Sequence, residues 1–234
     1  MQPFVQIVVV IYIYFMMKTI LLFGATGRTG KHVLNYALER GYYVKALVRD
    51  PEKITLKSEQ LELITGTPAN LDDVKRAAAG CDAVISTLNN PRKTESLWSK
   101  PINPPTLMTD CMKNAVAVMR ELEIRRIIVQ TGAGAGDSFA SMPWFMKGLI
   151  RLSSLKYVYA DHDGQEQILK ESGLDWTIVR PVGLTDKDEI KELAIGSEGK
   201  HSSLISRKAV AKFMVDCLER EQYFHEAPII SESK

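Results

Sequence analysis

The chain has 234 residues, enough to bury a sizeable core, and chains of this length favour one domain over two. Hydrophobic residues at 45% and charged residues at 25% sit at globular averages, which excludes a disordered or fibrous protein. Thirty basic against twenty-eight acidic side chains leave a net charge of +2 with no block of like charges, so no nucleic-acid surface is expected.

The first feature in chain order is an uncharged N-terminal extension, residues 1–16, apolar from Phe4 onward except at Gln6. The fourteen residues from Phe4 to Met17 fall short of the ~20 that a spanning helix needs, and no basic residue precedes them as in a signal peptide. Their β-branched and aromatic content favours an extended chain. Translation beginning at Met16 or Met17 leaves a compact domain over 17–234, an expectation that the intact mass of the native protein tests. No membrane span and a cytoplasmic location follow from the same reading.

From residue 19 strands and helices alternate. The apolar run 19–23 ends at Gly24 and predicts a strand buried on both faces of a parallel sheet. Val33, Leu34, Ala37 and Leu38 recur at helical spacing and Gly41 offers a left-handed cap, so a helix is predicted over 28–40. Strands follow over 43–48, 61–64 and 83–87, the last two separated by a helix that Asn70 caps and Gly80 closes. Leu107, Cys111, Ala115, Val118 and Leu122 share one face of a longer helix leading to strand five at 127–129. A helix through 167–169, a strand over 176–179, a helix with Val210, Phe213, Met214, Cys217 and Leu218 inward, and a strand at 228–230 complete the series. The succession predicts a single doubly wound α/β domain of Rossmann type with a mainly parallel sheet. Irregular stretches at 89–105 and 133–141 follow strands four and five, where such a sheet places its ligand. Pro91, Pro101, Pro104 and Pro105 stiffen the first of them.

Cys81, Cys111 and Cys217 are odd in number, far apart and set in apolar surroundings, which predicts buried free thiols rather than disulfides. The four histidines show no metal-ligand spacing, so no metal is expected.

Between the first strand and its helix the glycines fall in the order Gly24, Gly27, Gly30. Strand before, helix after and a second strand about twenty residues on are the context in which such a loop holds a dinucleotide. Residues without a Cβ let the backbone approach a pyrophosphate, and unpaired amides at a helix N-terminus stabilise its charge. Thr26 and Thr29 offer hydroxyls, and Arg28 lies in the same loop. Choice of cofactor rests on the end of strand two, where Arg49 is placed to hold a 2′-phosphate in paired hydrogen bonds. NADP is therefore expected ahead of NAD, with Asp50 keeping NAD open.

These segments, with Ala46 to Asp50, Gly80 to Ile85 and Ser172 to Pro181, resemble the atypical short-chain dehydrogenase/reductases, the NmrA-like and biliverdin-reductase-B-like group, from Lys18 to the C-terminus. The resemblance implies that Thr87 and Leu88 border the cofactor, that Thr131 stands beside the nicotinamide ribose, and that Pro181 and Val182 pass near the nicotinamide. Relatives often carry Gly-Asp where this chain has Gly66 and Thr67, so Thr67 is left with a weaker adenine contact. The usual tyrosine with a lysine four residues later is missing: Asp161 follows Tyr157 and Asp163 follows Tyr159 at that spacing. A carboxylate there raises a phenol pKa rather than lowering it. Tyr157, His162 and Thr131 remain the candidate catalytic residues.

The reading that results is an NADPH-dependent oxidoreductase passing hydride to a small planar or carbonyl acceptor such as a flavin or quinone. The alternative, from another class, is a regulator that senses NADP without turning it over. Residues 139–150, rich in Met and aromatics, are read as an apolar lid, a homodimer interface or plain core.

Overall fold

In the computed structural model, which describes residues 18–94, 96–196, 202–219 and 222–233, strand β1 (Thr19–Phe23) is buried along four of its five residues. The extension 1–16 lies outside the described residues. Ile20 and Leu22 point to one side of the sheet, Leu21 and Phe23 to the other, and each side carries its own apolar layer. Successive strand residues face opposite ways, so an unbroken apolar run is what a strand covered on both faces requires. Each such side chain, fully buried, contributes about 1.5–3 kcal/mol.

Helix α1 (Arg28–Glu39) follows at once, then β2 (Tyr43–Val48), β3 (Leu61–Thr65), α2 (Leu71–Ala78), β4 (Ala83–Ser86), α3 (Leu107–Glu121) and β5 (Arg126–Gln130). After β5 come α4 (Trp144–Leu152), α5 (Leu155–Lys170), β6 (Asp175–Pro181), β7 (Gly183–Thr185), β8 (Leu193–Ile195), β9 (Leu204–Ser206), α6 (Arg207–Glu219) and β10 (Ile229–Glu232). The main sheet has the order β3-β2-β1-β4-β5-β6-β10-β8, parallel throughout except for β8, which runs antiparallel to β10. Helices α1 and α6 cover one face and α2, α3 and α5 the other, giving the doubly wound domain that the alternation predicts. Strand order reverses between β1 and β4, and the crevice beyond their C-terminal ends is where such sheets bind ligands.

Local signals operate as expected. Asn70 accepts a hydrogen bond from the Asp73 amide at 3.0 Å and caps α2, and Gly41 and Gly80 take positive φ just beyond α1 and α2. All three cysteines are buried, and none forms a disulfide among the described residues. Among the described residues no helix is long and apolar enough to cross a membrane.

Two features escape the periodicity. The three-residue strands β7 and β9 form a separate parallel pair, and β8 is held by β10 through Ile230↔Ile195. Segments so short carry no legible alternation. The stretch 139–150 supplies most of α4, and of that helix only Ile150 is buried, so plain core packing is not its role.

Candidate cofactor and active site

Beyond β1 the chain turns sharply because Gly27 donates its amide to Gly24 O at 2.8 Å. Gly24 has φ +84°, and a Cβ there would lie 2.7 Å from Thr87 Oγ1. A Cβ on Gly30 would lie 2.0 Å from Gly24 O, so only glycine lets α1 start this close to the strand. The first-turn amides of Thr29 and Gly30 meet no acceptor among the described residues, as helix N-termini require before a capping group or anion is supplied. Gly27 and Arg28 are exposed, Thr26 half-exposed and Thr29 buried, so Thr26 is the hydroxyl nearer the open side of the loop. Thr87 locks the turn from β4, its hydroxyl donating to Phe23 O at 3.2 Å, and the half-buried Leu88 packs below it.

At the end of β2 the two charged residues separate. Asp50 accepts from the Glu52 amide at 3.2 Å and pairs with Lys53, serving the short 3-10 turn Pro51–Lys53. Arg49 is exposed and has no hydrogen bond or ion pair among the described residues. Beyond β3, Thr67 donates its amide to Asp73 at 3.0 Å, and Asp73 packs so closely that a Cβ on Gly66 would lie 2.7 Å from its Cγ. The Thr67 amide and then Arg76 hold the Asp73 carboxyl below its ordinary range. This loop thus takes its carboxylate from six residues further on, a placement that spacing alone does not reveal.

The half of the site beyond β5 centres on the buried side chains of Thr131, Glu166 and Arg180. Thr131 donates its hydroxyl proton to Glu166 Oε1 at 2.9 Å, and Arg180 Nε donates to the same oxygen at 2.9 Å. Arg180 Nη2 bonds both Glu166 Oε2 and Asp137 Oδ1, and Lys170 reaches Asp137 at 3.1 Å. Arg180 in first place holds the Asp137 carboxyl well below the usual range. Pro181 closes this floor: its carbonyl accepts from the Ala133 amide at 2.9 Å, and the half-buried Val182 donates to Ile230 O. An arginine inside the apolar run 176–181 is itself a signal, because a cation at a buried strand position needs a buried partner.

Tyr157 and Tyr159 are placed differently. Tyr159 donates its hydroxyl to Ala133 O at 3.1 Å, and burial, then Asp163, pushes its pKa up. The half-buried ring of Tyr157 lies 5.3 Å from the Lys156 ammonium, so Tyr159 is the phenol that the fold brings to the strand-five loop. His162 is buried, with burial pushing its pKa down to about 4, and its Nδ1 has no hydrogen-bond partner among the described residues. Asp161 turns away from both phenols. Its carboxylate accepts from the Met108 amide at 2.9 Å and from the Thr109 amide and hydroxyl at 2.8 and 2.7 Å, capping α3 from another helix. Further buried polar atoms without partners among the described residues are Ser86 Oγ, Gln130 Oε1 and both amide atoms of Gln165, on the ends of β4 and β5 and on α5.

Across the glycine loop, Asp186 after β7 accepts from Arg207 at 2.7 Å and pairs with Arg28 at 3.4 Å, tying the start of α6 to the start of α1. An open depression of about 500 Å³ lined by Arg120, Arg125 and Leu174 lies at the other end of the sheet. Its two guanidiniums already donate to the carbonyls of Ser172 and Gly173, so it has no part in this site.

The cradle fits a dinucleotide: a glycine turn with free amides at the strand-order reversal, followed by polar ends on β4 and β5. A family model described as NAD(P)H-binding matches residues 24–221. The chain belongs to the NAD(P)H-binding family. Its relatives include Reductase pytE of Aspergillus terreus, 24% identical over 87% of this chain and 92% of the other. Among solved structures, the anaerobilin reductase ChuY of Escherichia coli O157:H7 superposes with a TM-score of 0.75 at 21% identity, covering 92% of this chain and 97% of that one. A short-chain dehydrogenase/reductase of Veillonella parvula, solved in complex with NADP, gives 0.67 at 20% identity over 93% and 95%. This NAD(P)H-binding protein therefore shares an oxidoreductase fold with reductases among its relatives.

Proposed function

We propose that this chain is an NADPH-dependent reductase whose acceptor takes its proton from water rather than from the protein. The observation that carries the acceptor class is the state of the protons at the strand-five end. The Thr131 hydroxyl proton is committed to Glu166, the Tyr159 proton to Ala133 O, and burial keeps His162 neutral at neutral pH. None of the three is poised as a general acid, which disfavours simple aldehydes and ketones and favours flavins, quinones and extended conjugated systems. ChuY, a reductase of an anaerobilin, supports that direction by likeness of fold.

In this reading the nicotinamide supplies the hydride. The amides of Thr29 and Gly30 bind the pyrophosphate, with Gly24, Gly27 and Arg28 shaping the approach. Thr131, its proton turned toward Glu166, offers lone pairs to a ribose hydroxyl and is a positioning residue. Thr87 and Leu88 border the cofactor, Pro181 and Val182 pass near the nicotinamide, and Thr67 borders the adenine. Arg49, without a partner among the described residues, takes the 2′-phosphate, which is the basis for preferring NADP.

Two measurements test this. Arg49→Ala is expected to weaken NADPH binding roughly tenfold to a hundredfold by calorimetry while leaving NADH unchanged. Equal losses for both would refute the 2′-phosphate contact. NADPH oxidation is expected with quinones, flavins or linear tetrapyrroles and not with simple aldehydes. Tight binding with no turnover of any acceptor would assign the chain to the sensing class instead.

A further inference from the structure

The strongest feature that the cofactor site leaves unexplained is an exposed apolar surface beside it. On α4, Trp144 is 84% exposed, Leu152 77% and Phe145 57%, with Leu149 also exposed. At about 100° per residue these four fall within one arc of roughly 140°, opposite the buried Ile150. Trp98, 67% exposed, joins them from the loop after β4, because Ser154 donates its amide to Leu97 O and its hydroxyl to Trp98 O, both at 2.9 Å. A monomer exposing two tryptophans, a phenylalanine and two leucines in neighbouring segments presents a surface for a partner.

The charges around it narrow the partner. Between residues 139 and 160 the chain carries Lys147, Arg151 and Lys156 and no acidic residue. Lys147 and Arg151 lie 5.9 and 5.4 Å from the Phe139 ring, along one edge of the arc. The adjoining loop adds Arg92, Lys93 and Lys100 against a single acidic residue, Glu95. A second copy meeting this face about a two-fold axis would set like charges against each other, which is costly. An amphipathic face of Trp, Phe and Leu rimmed by Lys and Arg suits a layer that is apolar below and anionic above.

We infer that α4 and the Trp98 loop form a docking surface for an anionic lipid bilayer, on which the chain lies with the C-terminal edge of its sheet toward the headgroups. This inference is independent of the reductase reading. It rests on side chains that the cofactor site does not use.

The test is intrinsic fluorescence and cosedimentation of the full chain with vesicles of phosphatidylcholine alone or mixed with phosphatidylglycerol. Trp98 and Trp144 are exposed and Trp176 is buried, so the signal reports this surface. Anionic vesicles are expected to shift emission to the blue, and acyl-chain-brominated lipid to quench it. Lys147→Glu with Arg151→Glu is expected to weaken partitioning about tenfold or more. Trp144→Ser with Phe145→Ser should abolish the blue shift, with circular dichroism confirming that these surface variants fold. An emission spectrum unchanged by anionic vesicles would overturn the inference. So would binding that neither variant alters, which would locate it elsewhere in the chain, or light scattering showing a dimer that Trp144→Ser with Phe145→Ser dissolves without any vesicle binding.

Discussion

The two halves of the candidate site are made in opposite ways. Around the glycine loop the working groups are backbone amides, and the side chains matter by being absent: Gly24, Gly27 and Gly30 clear space that any Cβ would fill. Beyond β5 the work is done by side chains, with Thr131, Glu166, Arg180, Asp137 and Lys170 joined in one chain of hydrogen bonds and ion pairs. The first half is a matter of conformation and tolerates little variation at a few positions. The second is a matter of charge balance, and it responds to pH and to the loss of either partner.

The comparison breaks most sharply at Arg180. Arg180→Met leaves Glu166 buried and short of its main partner, and a loss of about 3–5 kcal/mol is expected in chemical denaturation. Adding Glu166→Leu to that variant should recover much of the loss, since the double change removes both charges together. If the double variant is no better than the single one, the network is not electrostatic in origin.

A somewhat smaller effect should follow pH. Burial lowers the His162 pKa from its ordinary 6.5 to about 4, so the unfolded chain binds a proton through that interval while the folded one does not. The stability this neutral imidazole contributes is full above pH 6.5 and is lost as pH falls toward 4, on the order of 3 kcal/mol in all. His32 is lowered too, by burial and then Lys208, and adds a slope of the same sign. His162→Gln should therefore flatten, without abolishing, the fall in denaturation midpoint between pH 7 and pH 4. An unchanged slope would show that His162 is solvated.

The glycine half should respond in binding more than in stability. Gly30→Ala must push α1 away from Gly24 O, at a cost of roughly 1–3 kcal/mol. NADPH affinity should fall by roughly tenfold to a hundredfold in calorimetry, because the amides move with the helix. Unaltered affinity in a folded variant would mean that the loop amides are not the phosphate cradle.

The same contrast explains what could be read from the residues alone. Conformational demands leave compact marks: a glycine where φ is positive, as at Gly41, an asparagine before a helix, as at Asn70, an apolar run where both faces are covered, as in β1. The alternation of such marks sufficed for the doubly wound architecture and the placing of the glycine loop. Buried networks leave scattered ones. Thr131, Glu166 and Arg180 are distant in sequence, and only the arginine in an otherwise apolar strand hinted at them. Helical spacing set Asp161 beside the phenols, but it could not show that the carboxylate reaches across to the amides of α3. Nor did composition distinguish a buried 139–150 from an exposed one, since Met, Trp and Phe serve core and surface patch alike. The short strands β7 to β9 owe their existence to β10 and to each other, and carry no local signature.

Asp161 has a mechanical consequence. By receiving the first turn of α3 it clamps the outlet of the proline-bearing loop to α5, the helix that also presents Glu166 to Thr131. Rim and floor on that side of the cleft thus share one helix as their support: Asp161 holds the loop's exit and, five residues on, Glu166 holds the Thr131 hydroxyl.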